Sequence, residues 1–177
     1  EGDLRLDEIE LPSIQPNEIL AEIVSDSICM SSYKASTQGI RHKRIPNAIA
    51  DEPIMIGHEF CGKILEVGAT WKDQFTPGEK FSIQPALNDP SGPVGILSAP
   101  GYSYPHIGGN AQHVIIPPEV MKNNCLLPFK GEAFYLGSLA EPLSCVIGAF
   151  HANYHTTPGS YEHKMGIVEG GSLALLG

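Results

Sequence analysis

The stretch IMIGHEFCGKILEVG, residues 54–68, sets two ionisable side chains beside a run of strand-forming residues. His58 and Glu59 follow a glycine and stand one residue before CGKILEV, whose branched aliphatic residues are typical of a β-strand. A histidine in such a place is most often a satisfied, half-buried structural residue. A chemical role for this pair therefore depends on the rest of the sequence.

Short β-type runs with Gly and Pro punctuation dominate the first part of the chain. Pro77 and Gly78 predict a type II turn, and residues 88–110, dense in Gly, Pro and Ser, predict a long loop. The candidate strands are residues 18–29, 61–68, 81–84 and 111–116. This pattern favours a mainly β domain with some helix, built as a barrel or sandwich.

The clearest helix pattern begins near Glu141 and continues to His155. Pro142 suits a first helical turn. The apolar residues that recur at helical spacing are Leu143, Val146, Ile147, Phe150 and Tyr154. A carboxylate at a helix N-terminus is stabilised by the helix dipole, which explains Glu141 without any chemical role.

Composition excludes several classes of partner. The 20 acidic residues outnumber the 11 basic ones, which argues against nucleic acid, because that binding needs clustered Lys and Arg opposite phosphates. No run approaches the roughly twenty apolar residues of a membrane span. We expect a soluble protein with a small-molecule partner.

The four cysteines are widely separated and form no C-x-x-C pair. Neither a disulfide framework nor a four-cysteine zinc ribbon is predicted, and a cytoplasmic location follows most simply. Three of them are expected to be small buried hydrophobic residues: Cys61, Cys125 and Cys145.

Both ends of the chain predict continuation. Residues 3–12, DLRLDEIELP, favour a strand, and residues 172–176 form a short apolar strand pattern that stops at Gly177. A buried strand ending in glycine after a helix is how a doubly wound nucleotide-binding unit begins, although one glycine does not make a G-x-G-x-x-G motif. We therefore expect a fragment of a longer protein.

Cys29, His58, Glu59 and Glu141 offer the ligand types that zinc accepts. A catalytic zinc site needs three protein ligands and an open position, and it gathers them from distant parts of a fold. Their spacing alone therefore does not identify a site.

Three segments, SDSICMSSYK, GHEFCGKILEVG and LAEPLSCVIGAFHA, occur in an order that resembles the zinc-dependent medium-chain dehydrogenase family. The E-P-L-S run at Glu141 resembles the polyol and sorbitol dehydrogenase branch. The resemblance covers essentially the whole chain and implies a GroES-like barrel as catalytic domain. It further implies one catalytic zinc and a nicotinamide cofactor, NAD(H) or NADP(H).

The resemblance also implies roles for single residues. Cys29 and His58 match two zinc ligands, Glu59 matches the glutamate of the His-Glu pair, and Glu141 matches a further ligand position. Which glutamate binds zinc directly stays open. Ser31 matches the hydroxyl residue that passes the substrate proton towards solvent, so Ser31, His58 and Glu59 are the expected catalytic residues.

Two departures from the family pattern affect these expectations. Met30 replaces a glycine, and Ser32 replaces an aspartate that normally supports the zinc site. The family's four-cysteine lobe is also missing, and residues 88–110 take its place. We therefore expect no structural zinc.

Further segments, among them HKRIP, GYSYPHIGGNAQHVIIP and GAFHANYHTT, resemble bacterial sorbose-1-phosphate reductases, a branch of the polyol group. A phosphorylated substrate needs cations, and the candidates are Lys34, Arg41, Lys43 and Arg44. An ordinary solvated charged loop explains the same residues.

We predict residues 1–155 to be a GroES-like zinc domain and residues 156–177 to be a connection plus the first strand of an NAD(P)-binding domain, with Gly177 opening its cofactor turn. The expected activity is reduction of a ketose phosphate to a polyol phosphate, by a homo-oligomer when full length. The 177-residue chain alone is expected to be inactive. The alternatives are a dehydrogenase of unphosphorylated polyols or alcohols, and a non-catalytic GroES-like binding module.

Overall fold

The computed structural model describes residues 2–174, and its main feature is a five-stranded antiparallel sheet. The strand order is β4-β1-β2-β3-β5, and each neighbouring pair is antiparallel. The strands are β1 (Ile19–Asp26), β2 (Phe60–Val67), β3 (Lys80–Ile83), β4 (His113–Ile116) and β5 (Leu126–Pro128). The mainly β prediction is confirmed, and Gly78 adopts the positive φ of 93° that the predicted turn requires.

Short helical segments connect the strands. The helices of this part of the chain are α1 (Met30–Gln38), α2 (Pro118–Lys122) and α3 (Phe134–Ser138). The 3-10 turns are Gly39–Arg41, Asn47–Ala50, Ala69–Trp71 and Gly95–Leu97. Helix α3 packs on β1, β2 and β3, where Ser82 Oγ donates to the Gly137 carbonyl at 2.8 Å.

The main core lies on one side of the sheet and is built from alternating inward-facing strand residues. Its fully buried members include Ile19, Phe60, Ile64, Phe81, Ile83, Val114 and Ile116. Burying side chains of this kind contributes about 1.5–3 kcal/mol each, before the chain entropy that opposes it. This buried core therefore anchors the sheet strands that carry the loops at its end.

Residues 88–110 are irregular, as predicted, but they are packed rather than solvated. Ser98, Ala99, Tyr102 and Ser103 are all buried. Ala99 and Tyr102 form a second, smaller core with Ala35 of α1 and Ile45. This loop is therefore an integral part of the fold.

A second compact unit, Glu141–Gly177, follows the first, Glu1–Ala140. Its described part contains most of helix α4 (Ala140–Ala152) and a hairpin of β6 (Tyr154–Thr156) and β7 (His163–Met165). No helix among residues 2–174 is long and apolar enough to cross a membrane.

Three expectations need correction. The predicted helix to His155 is too long, because the Asn153 amide donates to the carbonyls of Ala149 and Phe150 and ends α4 at Ala152. Cys145 is exposed on α4, whereas Cys61 and Cys125 are buried as predicted. The N-terminal segment has no regular structure and is largely exposed, because no strand of the described chain pairs with it.

The predicted strand at the end of the chain falls partly outside the described residues. Residues 171–174 have no regular structure. Residues 175–177, with Gly177 and its suggested role in a cofactor turn, lie outside the described range.

Candidate metal centre

The pairing of β1 with β2 brings the candidate ligands together. Asp26 at the end of β1 pairs with Phe60 at the start of β2, and the Ser27 N–H donates to the Glu59 carbonyl at 3.1 Å. Cys29 follows β1 closely as the N-cap residue of α1, and His58 immediately precedes Glu59. Residues far apart in sequence are thus adjacent at one end of the sheet.

Cys29, His58 and Glu59 place one ligand atom each within 4.8 Å of the others. His58 Nε2 lies 3.8 Å from Glu59 Oε1, and both side chains are buried, whereas Cys29 is half-buried. Thiolate, imidazole and carboxylate are zinc donors, and bond lengths of about 2.0–2.3 Å put tetrahedral ligands within about 4 Å of each other. The three residues therefore fit a zinc ion with only small adjustments.

Two serines hold the imidazole of His58 from opposite edges. Ser32 Oγ lies 3.3 Å from Nδ1, and Ser31 Oγ lies 3.3 Å from Nε2. Ser32 thus contacts the ligand that the missing aspartate would support, and the side chain of Met30 points to solvent, 69% exposed. Neither departure from the family pattern disrupts the group.

Burial lowers the pKa of His58, the Glu59 charge opposes that shift, and the Arg44 charge adds to it. A lowered pKa keeps the imidazole neutral near pH 7. Neutral imidazole is the form that binds metals, so the environment of His58 prepares it for this role.

Glu59 is positioned by the end of β1. Ser27 Oγ donates a short hydrogen bond to Glu59 Oε2, and the Glu59 N–H donates to Asp26 Oδ1 at 3.2 Å. Burial raises the pKa of Asp26 to about 6. The repulsion by the Glu59 charge also raises this pKa, whereas the hydrogen bond from the Glu59 N–H lowers it. Burying the Glu59 carboxylate costs free energy, and the hydrogen bond from Ser27 offsets part of that cost. Buried carboxylates of this kind are common at functional sites.

Ser31 lies at the centre of the group. Its hydroxyl is 2.9 Å from Cys29 Sγ, and it accepts a hydrogen bond of 2.8 Å from the Tyr102 hydroxyl. Because Tyr102 donates to the Ser31 oxygen, the proton of Ser31 is left to donate elsewhere.

Tyr102 is the residue of the site that the sequence did not reveal. Its hydroxyl is 3.3 Å from His58 Nε2, and the two rings lie 4.7 Å apart between centroids. It reaches this place because Gly109 and Asn110 donate backbone hydrogen bonds to Gly57 and Ile56, which ties its loop to the turn before His58. The available signal was the cluster of aromatic residues in GYSYPHIGG within the Gly- and Pro-rich loop.

The four predicted phosphate-binding residues differ in their surroundings. Lys34, Arg41 and Lys43 are exposed. Arg44 is half-buried, donates from Nη1 to the Leu97 carbonyl at 2.7 Å, and lies 6.0 Å from the centre of the Tyr102 ring.

Glu141 stands in the first turn of α4, in the second compact unit. There the Cys145 thiol donates to Glu141 Oε1 at 3.5 Å. Its assignment as a metal ligand stays a prediction.

A mainly β domain with this ligand set at the end of its sheet has the design of the zinc-dependent medium-chain dehydrogenases. The family model for the alcohol dehydrogenase GroES-like domain matches residues 15–128, which include Cys29, His58 and Glu59. The chain belongs to this family, and the GroES-like fold predicted from the sequence is confirmed.

Two curated relatives from the family are about half identical to the chain in sequence. It is 53% identical over 175 residues to an L-sorbose 1-phosphate reductase of Klebsiella pneumoniae, covering 99% of this chain and 42% of that protein. It is 51% identical over 176 residues to a mannitol-1-phosphate 5-dehydrogenase of Aliivibrio fischeri, covering 99% and 40%. The chain thus spans about two fifths of the length of these curated relatives.

A dehydrogenase structure from Sinorhizobium meliloti, solved with NADP bound, has the same fold. The TM-score is 0.61 at 21% identity, and the match covers 84% of this chain and 42% of that structure. At this identity the likeness concerns the fold alone.

Proposed function

We propose that the chain is the catalytic-domain part of a zinc-dependent, NAD(P)-linked oxidoreductase that reduces a ketose phosphate of the L-sorbose 1-phosphate type to a polyol phosphate. The observation that carries the proposal is the buried group of Cys29, His58 and Glu59, whose ligand atoms lie within 4.8 Å of one another. The names of the two curated relatives support the substrate class.

In this proposal Cys29, His58 and Glu59 hold the zinc, with Glu141 as a further candidate ligand. When bound, zinc polarises the substrate carbonyl, and the nicotinamide cofactor supplies the hydride. Ser31 Oγ relays a proton: it gives its own proton to the carbonyl oxygen as the alcohol forms and takes a replacement that comes from solvent. Tyr102 positions Ser31 by donating to its oxygen, which directs the Ser31 proton towards the reacting atoms.

The remaining properties belong to the full-length protein. We infer a cytoplasmic homo-oligomer with one catalytic zinc per chain and a small sugar phosphate or polyol as substrate. We expect the 177-residue chain to bind zinc without turning over sorbose 1-phosphate in the presence of NADH or NADPH. Lys34, Arg41, Lys43 and Arg44 are proposed as the source of positive charge for the phosphate.

Metal content tests the proposal directly. The purified chain is expected to hold about one zinc by elemental analysis after exhaustive dialysis. Cys29→Ser and His58→Ala each remove one of the three ligands, so both variants are expected to lose the zinc.

His113→Ala is the matched control, because His113 is an exposed histidine of β4 outside the group. It should keep the zinc of the unmodified chain. A folded chain without zinc, or zinc that persists in both ligand variants, would remove the basis of the proposed function.

A further inference from the structure

One interval of this acidic protein carries only positive charge. Between Asp26 and Asp51 there is no acidic residue, and four of the 11 basic residues lie there. The interval contains Cys29 and the whole of α1. Part of the metal group therefore sits in the most electropositive stretch of the sequence, which favours an anionic ligand.

Tyr102 connects the metal group to this basic interval. Its ring stacks on the imidazole of His42, with centroids 5.7 Å apart and planes 11° from parallel. The same ring lies 4.7 Å from that of His58, and the Arg44 guanidinium lies 6.0 Å from its centre. His42 and Arg44 are thus one aromatic ring away from a metal ligand.

The orientation of His42 and Arg44 is fixed by hydrogen bonds. The backbone N–H of Arg44 donates to His42 Nδ1 at 3.3 Å, so the neutral imidazole carries its proton on Nε2 and is a donor there. Arg44 Nη1 donates a hydrogen bond to the Leu97 carbonyl. A guanidinium has five N–H donors, so this bond uses only one of them. Its backbone carbonyl accepts from the buried Ser103, which anchors the residue further.

Electrostatics agrees with this geometry. Burial lowers the pKa of His42, and the charges of Arg44, Lys43 and Lys34 lower it further. Three cations thus act on one imidazole, and a dianion bound among them would relieve their repulsion.

We propose that His42 and Arg44 form a phosphate-monoester subsite beside the metal group, and that the substrate carries its phosphate on the carbon next to the reacting carbonyl. This inference rests on the proposed function and specifies its substrate. The names of the two curated relatives differ on this point. The mannitol-1-phosphate 5-dehydrogenase has its phosphate and its reacting position four carbons apart, whereas in a 2-ketose 1-phosphate they are neighbours.

Distance favours the neighbouring position. The two centroid distances, 4.7 and 5.7 Å, limit the separation of the His58 and His42 rings to about 10 Å. In a 2-ketose 1-phosphate the carbonyl oxygen and the phosphorus are about 4–5 Å apart, as bonds of about 1.5 Å require. The contacts from the carbonyl oxygen to the metal group and from the phosphate to His42 and Arg44, about 2–3 Å each, account for the rest of the distance between the rings. A reaction at C5 puts three more carbons between the two groups, which would add up to about 4 Å.

The first test measures binding of inorganic phosphate to the metal-free chain by calorimetric titration. One saturable site is expected, and Arg44→Ala is expected to weaken it about tenfold or more, because it removes charged hydrogen bonds. Arg44→Lys keeps the charge but loses the planar guanidinium, so its phosphate affinity is expected to lie between those of the unmodified chain and Arg44→Ala.

Lys72→Ala is the charge-matched control. Lys72 is an exposed basic residue outside the interval from Asp26 to Asp51, and its loss should leave phosphate affinity unchanged. Equal weakening by Lys72→Ala and Arg44→Ala would show diffuse charge attraction and overturn the subsite. So would the absence of saturable binding.

The second test concerns the position of the phosphate. D-fructose 1-phosphate and D-fructose 6-phosphate both have a carbonyl at C2, and they are titrated into the cobalt-loaded chain while the visible absorption of the metal is followed. The 1-phosphate is expected to change the spectrum at a concentration at least tenfold lower, and Arg44→Ala should abolish the difference. Equal or reversed preference overturns the inference and leaves the proposed metal site standing. Failure to bind cobalt would instead count against the proposed function.

Discussion

At the scale of single residues, the candidate metal centre depends on the side chains that orient the proposed ligands as much as on those ligands themselves. His58 is contacted by Ser31, Ser32 and Tyr102, and Glu59 accepts from Ser27. A ligand whose second polar atom is held by hydrogen bonds loses little orientational freedom when a metal binds. The affinity for zinc should therefore respond to changes in these supporting residues.

Ser32→Ala is expected to weaken zinc binding about tenfold, because it removes the contact to His58 Nδ1. Competition with a chromophoric chelator measures the dissociation constant. Ser36→Ala is the control, because Ser36 lies on the same helix and its hydroxyl donates only to the nearby Tyr33 carbonyl. Equal affinities of the two variants would show that Ser32 does not support the ligand.

Gly57 allows the turn before His58 to fold against its neighbours. Its φ is +94°, and a Cβ there would overlap the Asp26 carboxylate and come within 2.8 Å of the Asn110 nitrogen. Gly78 has nearly the same φ, +93°, but open space around it. The two glycines therefore separate backbone strain from steric overlap.

Gly78→Ala is expected to lower the free energy of unfolding by about 1 kcal/mol, through the positive φ alone. Gly57→Ala is expected to lower it by about 2 kcal/mol more, because overlap is added to the same strain. Urea denaturation of both variants measures the difference. Similar values would mean that the turn can move away from Asp26 and Asn110 at little cost.

At the scale of elements, the contact of α3 with the sheet has a pH-dependent component. Cys61 of β2 is fully buried, and the space above its sulfur is available only because Gly137 of α3 has no side chain. Burial raises the pKa of the Cys61 thiol to about 11. The unfolded chain therefore releases this proton at lower pH than the folded chain.

Above the ordinary thiol pKa, the unfolded state binds fewer protons than the folded state, so the free energy of unfolding must fall as pH rises. The loss from Cys61 is expected to reach about 2 kcal/mol between about pH 9 and pH 11. Urea denaturation at several pH values, with EDTA present, measures it.

Cys61→Ala removes the ionisable thiol, so its free energy of unfolding should fall less steeply with pH than that of the unmodified chain. The variant is less stable than the unmodified chain already at neutral pH, because a buried side chain is truncated. Cys145→Ala, at an exposed position of α4, is expected to keep the slope of the unmodified chain. Parallel slopes for Cys61→Ala and the unmodified chain would contradict the assignment.

At the scale of the whole molecule, the sequence was informative where local patterns decide the structure. Strand runs and the turn at Gly78 follow from side-chain branching and from glycine's access to positive φ, and both were predicted. His58 and Glu59 stood out because they directly precede a strand. The end of α4 was missed because a hydrogen bond of Asn153 overrides an apolar pattern that continues to Tyr154.

Tyr102 shows what local patterns cannot supply. It lies 44 residues from His58 in a segment without periodicity, and long-range contacts, among them the backbone hydrogen bonds of Gly109 and Asn110, bring it to the site. The strand predicted for residues 3–12 was wrong for a related reason, because a strand needs a pairing partner that its own residues do not specify. Long-range placement, rather than residue type, limited the prediction.

We expect zinc also to stabilise the first compact unit as a whole, because the proposed ligands come from both strands of the β1–β2 pair: Cys29 follows β1, whereas His58 and Glu59 precede β2. A ligand that binds only the folded state at 100 times its dissociation constant adds about 2.7 kcal/mol. For a chain of this size that raises the melting temperature by about 5–10 °C. Scanning calorimetry with zinc and with EDTA measures the shift.

Cys29→Ser and His58→Ala are expected to melt at the same temperature with zinc and with EDTA, whereas His113→Ala should show the full shift. The comparison within each variant cancels any effect of the substitution on the fold itself, since the same protein is measured with and without metal. A shift that survives in both ligand variants would place the zinc elsewhere, and the linkage between the β1–β2 pair and metal binding would be refuted.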